Sequence, residues 1–190
     1  MKKYLNQYKP FLIFLLKFFL SYVLLTSVYQ YFLKSFDASS NEVDSLTELV
    51  SVQTQKCIEL FGYGSHLEPH PKQNANILFV EEKNVARIVE GCNAISVIIL
   101  FIAFVMAFKG SWQKTILFIF AGSGLIGLLN IIRIALIAIA LYHYPQYEHL
   151  LHGVLFPLFI YGVVFLLWVI WVNKFSVYAQ QQQQQQQQKA

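Results

Sequence analysis

The chain has 190 residues, the length of one ordinary soluble domain, yet 56% of them are hydrophobic and only 13% charged, with 17 Phe, 11 Tyr and 3 Trp. Soluble domains carry about 45–50% apolar residues and about 25% charged ones, and a fold of this size leaves much of its surface exposed; with a mean hydropathy of +0.49, the composition excludes an ordinary soluble protein and makes lipid the solvent. A net charge of +4 is weak support for a nucleic-acid partner, and two cysteines 35 positions apart, Cys57 and Cys92, exclude a disulfide-rich scaffold or a CxxC metal or redox pair.

Spanning about 30 Å of hydrocarbon takes about 20 apolar residues in a helix. The first such run is Phe11 to Leu33, broken by Lys17, with Pro10 just ahead of it, where a missing N–H costs least. It is too long for a signal-peptide core and no small-x-small cleavage site follows it, so a retained helix is expected. The polar stretch 34–92 comes next. Within it, Asn41 to Phe61 carries Val43, Leu46, Leu49, Val50, Ile58 and Leu60, an imperfect helical stripe. Gly62, Gly64 and Pro69–His70–Pro71 are turn signals, and Asn76 to Val80 reads as a strand or an extended approach to the next span. A lid or vestibule is expected there. The second span is Asn93 to Phe108, the third Thr115 to His143, and the fourth Val154 to Val172, ending in the interfacial aromatics Trp168 and Trp171. Gln180 to Gln188 is low-complexity sequence, expected to be disordered.

The expectation is an all-α integral membrane protein: a bundle of about four transmembrane helices with one long extracytoplasmic loop. It divides into 1–33 (cytoplasmic N-terminus and first helix), 34–92 (extracytoplasmic loop), 93–173 (a three-helix membrane core) and 174–190 (a cytoplasmic Gln-rich tail). The orientation comes from charge. Lys2, Lys3, Lys9, Lys109, Lys114, Lys174 and Lys189 lie in ends and short loops with no acidic residue, whereas nine of the ten acids fall between Lys34 and Glu90 and the tenth is Glu148. The positive-inside rule then puts both termini in the cytoplasm.

Ionisable groups inside a span are costly, roughly 2.5–3.5 kcal/mol for a central Arg, and are default functional candidates. Lys17 is near enough to one end for its stem to snorkel. Arg133 lies about 27 Å along the third span at 1.5 Å per residue, and Asn130, three residues earlier, shares its helical face. Two polar side chains on one stripe of a Leu/Ile/Ala helix suggest a polar site between helices. Cys92 opens the second span at the same depth. By itself a thiol there is a small buried hydrophobe or a partner for Cys57 in an oxidising compartment; beside a cation or a helix N-terminus it becomes a nucleophile. His143, His149 and His152 arrive at the same face. A histidine can act as base toward the thiol and then as acid toward the leaving group, and an arginine can stabilise thiolate or oxyanion. His66 and His70 read as surface residues, with no Cys/His spacing that makes a metal site.

Gly91–Cys92 opening a span, Asn130-x-x-Arg133 in the next, a histidine before the last, and the stretch Leu151–His152–Gly153–Val154–Leu155–Phe156–Pro157 together resemble the exosortase/archaeosortase family, most closely the short Bacteroidetes type called exosortase F. The resemblance covers roughly residues 85–172 and the first helix. It implies a cysteine peptidase or transpeptidase embedded in the bacterial inner membrane, with its active site facing outward, that processes C-terminal sorting signals of exported proteins. It also implies Cys92 as nucleophile, Arg133 as cationic stabiliser and His152 as acid/base, with Asn130 in support. The His-x-x-x-Gly pattern of many members would select His149 instead. Asn93–Ala94 stand where bacterial members often have Ser-Gly, and about four spans stand where larger relatives have eight. The implied partners are exported substrates and membrane lipid, with room for a small companion membrane protein; no nucleic acid, cofactor or metal is implied. Two other readings stay open: a non-catalytic membrane subunit of an envelope or export system, with Asn130 and Arg133 gluing helices, and thiol redox through Cys57 and Cys92.

Overall fold

The computed structural model describes residues 2–36, 43–108 and 110–175, so the glutamine run lies outside the described residues. The architecture is that of an all-α membrane protein, with three helices long and apolar enough to span and one shorter apolar helix. Helix α1 (Lys2–Leu33) begins earlier than expected and carries Pro10 inside it, which leaves one carbonyl a turn earlier without its backbone donor. Lys17 is exposed.

The segment after α1 is the part that the pattern of hydrophobic residues described least completely. The expected stripe becomes α2 (Ser45–Leu60), opened by Asp44, whose carboxylate accepts the N–H groups of Leu46 and Thr47 at 3.1 and 3.0 Å. Such an N-cap satisfies donors that have no partner within the helix. The helix closes at Phe61, with Gly62 in the left-handed region at φ +87°, the usual glycine stop. The expected strand is β2 (Ala75–Val80), and it sits between two strands that were not expected, β1 (Ser65–Pro69) and β3 (Lys83–Val89), in an antiparallel meander ordered β1-β2-β3. Only the central strand has the apolar pattern; β1 and β3 are edges whose pairing, not composition, makes them strands. Glu81 and Glu82 form the β2–β3 turn with φ of 47° and 64°, the conformation of a two-residue hairpin.

Ile58 from α2, Leu78 and Val80 from β2 and Ile88 from β3 pack on Ile134, Ala135 and Ala138 of α4 (Trp112–His143). The 43–93 segment is therefore seated on the second half of α4, not suspended as a loose loop.

Helix α3 (Ile95–Ala107) has 13 residues, about 20 Å at 1.5 Å per residue, and is shorter than the Asn93–Phe108 span expected. Helix α4 starts three residues before Thr115. The last apolar segment runs over 145–175 and is broken: a tight turn at Pro145–Tyr147, one helical turn α5 (Glu148–Leu150), a wide π-helical turn at Leu151–Leu155, helix α6 (Phe156–Ile170) and a second wide turn at Trp171–Phe175. Helices α3, α4 and α6 share a core of Phe101, Val105, Ile126, Ile160, Val164, Leu167 and Trp171. Phe104 of α3 stacks on Trp168 at 4.2 Å and meets Phe14 of α1 edge-on at 5.6 Å, so aromatic rings join α1, α3 and α6.

Candidate active site

The end of β3 runs directly into a 3-10 turn, Glu90–Cys92, and then into α3. Two residues shape that junction. Asn93 accepts the Ile95 N–H on its Oδ1 at 3.0 Å, and Ala94 takes the left-handed conformation at φ 61°, a position that costs a residue with a Cβ about 1–2 kcal/mol. Strain of this kind persists only where the surroundings over-determine it, and here it fixes the direction in which the chain leaves Cys92.

Cys92 is half-buried against the core of the 43–93 segment. Its carbonyl accepts the Asn130 side-chain N–H at 2.8 Å, and Asn130 is 1% exposed. The polar stripe on α4 thus meets the Cys92 turn, and the Asn130 amide is engaged with the Cys92 backbone. Arg133, half-buried one turn further along, lies in electrostatic reach of Cys92. His152, in the wide turn before α6, lies in electrostatic reach of Arg133 and of Glu148. A wide turn re-aims side chains relative to a regular helix and is frequent at functional sites. Arg133 is therefore in electrostatic reach of Cys92 and of His152, the three residues coming from three consecutive apolar segments.

The remaining histidines are placed differently. His149 is exposed, and a Cβ added at Gly153 would lie 4.0 Å from its Cε1. His143 is held by Tyr63, whose hydroxyl is 2.9 Å from its Nε2. His66 stacks on Phe79 at 4.5 Å, and His70 Nδ1 accepts the Lys72 N–H. Cys57 and Cys92 are both free thiols. Burial pushes the Cys57 thiol up, as expected where the charged form is penalised.

Several residues at this site carry no signal in the sequence. Tyr29 donates its hydroxyl to Glu90 Oε1 at 2.8 Å, and Asn93 Nδ2 donates to Tyr29 Oη at 2.9 Å and to Thr47 Oγ1 at 3.1 Å. Tyr29, Asn93 and Thr47 are buried. Tyr29 looks like one more aromatic in an aromatic-rich span, and Glu90 like one more acid of an acidic stretch. A single polar side chain four positions from the end of α1 gives no hint of its partner 61 residues away.

The family model for transmembrane exosortases (Exosortase_EpsH) matches residues 8–182. The chain belongs to the transmembrane exosortase family. The match takes in all four apolar helices and the 43–93 segment between them, so Cys92, Arg133 and His152 all lie within it. No curated protein and no solved structure matches the chain.

Proposed function

We propose that the chain is a cysteine peptidase of the transpeptidase type, of the exosortase F kind, that acts on C-terminal sorting signals of exported proteins at the outer face of a bacterial inner membrane. In this reading both termini are cytoplasmic, the 43–93 segment faces outward above the substrate's entry point, and 93–173 is the catalytic core. The observation that carries it is that one cation, Arg133, is in electrostatic reach of both a half-buried thiol and a histidine, within a chain of this family.

The chemistry needs each of these groups. His152 accepts the Cys92 thiol proton as the sulfur attacks a backbone carbonyl of the substrate. The carbonyl π pair moves to oxygen, and the Arg133 guanidinium, planar and permanently charged, stabilises that oxyanion where water is scarce. When the carbonyl re-forms, the C–N bond breaks, and protonated His152 gives its proton to the leaving amine. The thioester on Cys92 then passes to an amine or to water, and the thiol is regenerated. Asn130 acts in this scheme by holding the Cys92 carbonyl, and so the path of the backbone. Glu148, in electrostatic reach of His152, favours its protonated form. His149 has no step.

The test compares C-termini of exported proteins in cells carrying wild type, Cys92→Ala, Arg133→Ala, His152→Ala or His149→Ala. The reading requires that the first three variants leave a common set of proteins with untrimmed C-termini and that His149→Ala trims them. Trimming that persists in Cys92→Ala, with loss of assembly in Arg133→Leu, would instead make the chain a non-catalytic membrane subunit.

A further inference from the structure

We propose that the Tyr29 hydroxyl of α1 is a positioning group for Cys92, clamping the nucleophile's turn from both sides. The inference rests on the peptidase reading above. Cys92 is flanked by Glu90 on one side and Asn93 on the other, and one phenol oxygen holds both: Tyr29 Oη donates to Glu90 Oε1 at 2.8 Å and accepts from Asn93 Nδ2 at 2.9 Å. The second amide hydrogen of Asn93 goes to Thr47 Oγ1 at 3.1 Å, and its Oδ1 takes the Ile95 N–H at 3.0 Å. Asn93 is thereby fully engaged from three elements. Thr47 is held in turn by the α2 cap, its N–H bonded to Asp44, and its carbonyl accepts the Ser51 hydroxyl.

The geometry makes a closed loop. The backbone runs Glu90–Gly91–Cys92–Asn93, and the side chains at its two ends meet on Tyr29. Gly91 would meet nothing within 4 Å if it carried a Cβ, so packing at that position does not hold the turn. Hydrogen bonds hold it instead: Tyr29 from α1, Thr47 from α2, and Asn130 from α4 on the Cys92 carbonyl. Tyr29, Asn93 and Thr47 are buried and bonded to one another, and such a cluster rigidifies strongly, because breaking one bond leaves a buried partner unpaired. The consequence is that α1, which supplies none of the reacting groups, sets where the sulfur sits. A shift of about 1 Å in a reacting atom can cost on the order of a hundredfold in rate.

The experiment uses the full-length protein in native membranes and measures two quantities in Tyr29→Phe, which removes one oxygen and keeps the ring. The first is the alkylation rate of each cysteine by a membrane-impermeant methanethiosulfonate at fixed pH, read for Cys92 in a Cys57→Ser background and for Cys57 in a Cys92→Ser background. The second is the pulse-chase processing rate of an exported reporter with a hydrophobic C-terminal sorting segment. The clamp predicts that Cys92 alkylation accelerates by about threefold or more, that Cys57 keeps its rate, and that processing slows by about tenfold or more. Wild-type behaviour of both Cys92 and the reporter overturns the proposal. Equal acceleration of both cysteines also overturns it, since that is general loosening. If Tyr29→Phe does not accumulate in the membrane, the pair Glu90→Gln and Glu90→Leu decides: the clamp requires several-fold faster processing in the Gln variant, which keeps an acceptor for the phenol, and equal rates overturn it. The two proposals fail separately. Reporter processing that survives Cys92→Ala removes the peptidase reading, while the alkylation comparison still judges the clamp.

Discussion

The far end of the helical bundle and the Cys92 turn are held by different physics. Around Phe101, Val105, Val164 and Trp171 the chain packs ring against ring and ring against glycine; Phe101 lies so close to Gly122 that a Cβ there would fall 2.3 Å from its Cζ. The indole nitrogens of Trp168 and Trp171 are buried there without hydrogen-bond partners among the described residues. At the other end, where the 43–93 segment sits, Asn130, Asn93, Tyr29, Glu90 and Thr47 fix the Cys92 turn by directed bonds. Apolar contact is roughly proportional to area and indifferent to direction, so it sets how close helices come. Hydrogen bonds weaken steeply with angle, so they set where one atom points. A nucleophile, the role proposed for Cys92, needs the second kind of restraint; a bundle inside lipid needs mainly the first.

That contrast predicts which variants separate activity from stability. The largest effect belongs to Arg133→Ala. On the proposed mechanism, removing the cation should cost about a hundred- to a thousandfold in processing, the range for losing an oxyanion donor, while membrane abundance stays near wild type; an equal fall in both would erase the distinction between the two regions. Gly122→Ala should do the reverse. Its Cβ must displace the buried Phe101 ring, an overpacking cost of about 1–3 kcal/mol, seen as a lower midpoint of thermal unfolding in detergent with unchanged processing per folded molecule.

A smaller change of opposite sign is expected at Ala94. Ala94→Gly relieves the left-handed backbone at φ 61°, and stability should rise by up to about 1 kcal/mol, less the entropy a glycine adds to the unfolded chain. A fall in the unfolding midpoint would show that the Ala94 methyl, which is buried in the α3–α4–α6 core, matters more than the strain. The smallest effect concerns Cys57. Burial raises its pKa, so the folded state favours the neutral thiol. Its stabilising contribution is complete below the ordinary thiol value and is lost as pH rises through the raised one. Alkylation of Cys57 in native membranes should accordingly lag that of a free thiol peptide at pH 8–9 and converge with it in denaturant.

Much of this molecule was legible from the chain alone because lipid simplifies the problem. Long apolar runs must be helices there, since no water satisfies the backbone otherwise, and a lone Asn and Arg in such a run stand out for the cost of keeping them. Hence three long spans, a shorter fourth and the Asn130–Arg133 stripe could be read directly. The 43–93 segment was read less completely. Its β1 and β3 have no periodic apolar pattern because they are edges, and an edge strand is defined by its neighbour. The clamp was invisible for a related reason. Tyr29, Thr47, Glu90 and Asn93 are ordinary residues in their own segments, and their bonds reach across 46 to 64 positions wherever Tyr29 or Thr47 meets the Cys92 turn. Composition and periodicity record what each segment requires of its solvent. Which distant hydroxyl meets which amide depends on how the segments are seated on one another, and that was decided only when α2 and the sheet packed onto α4.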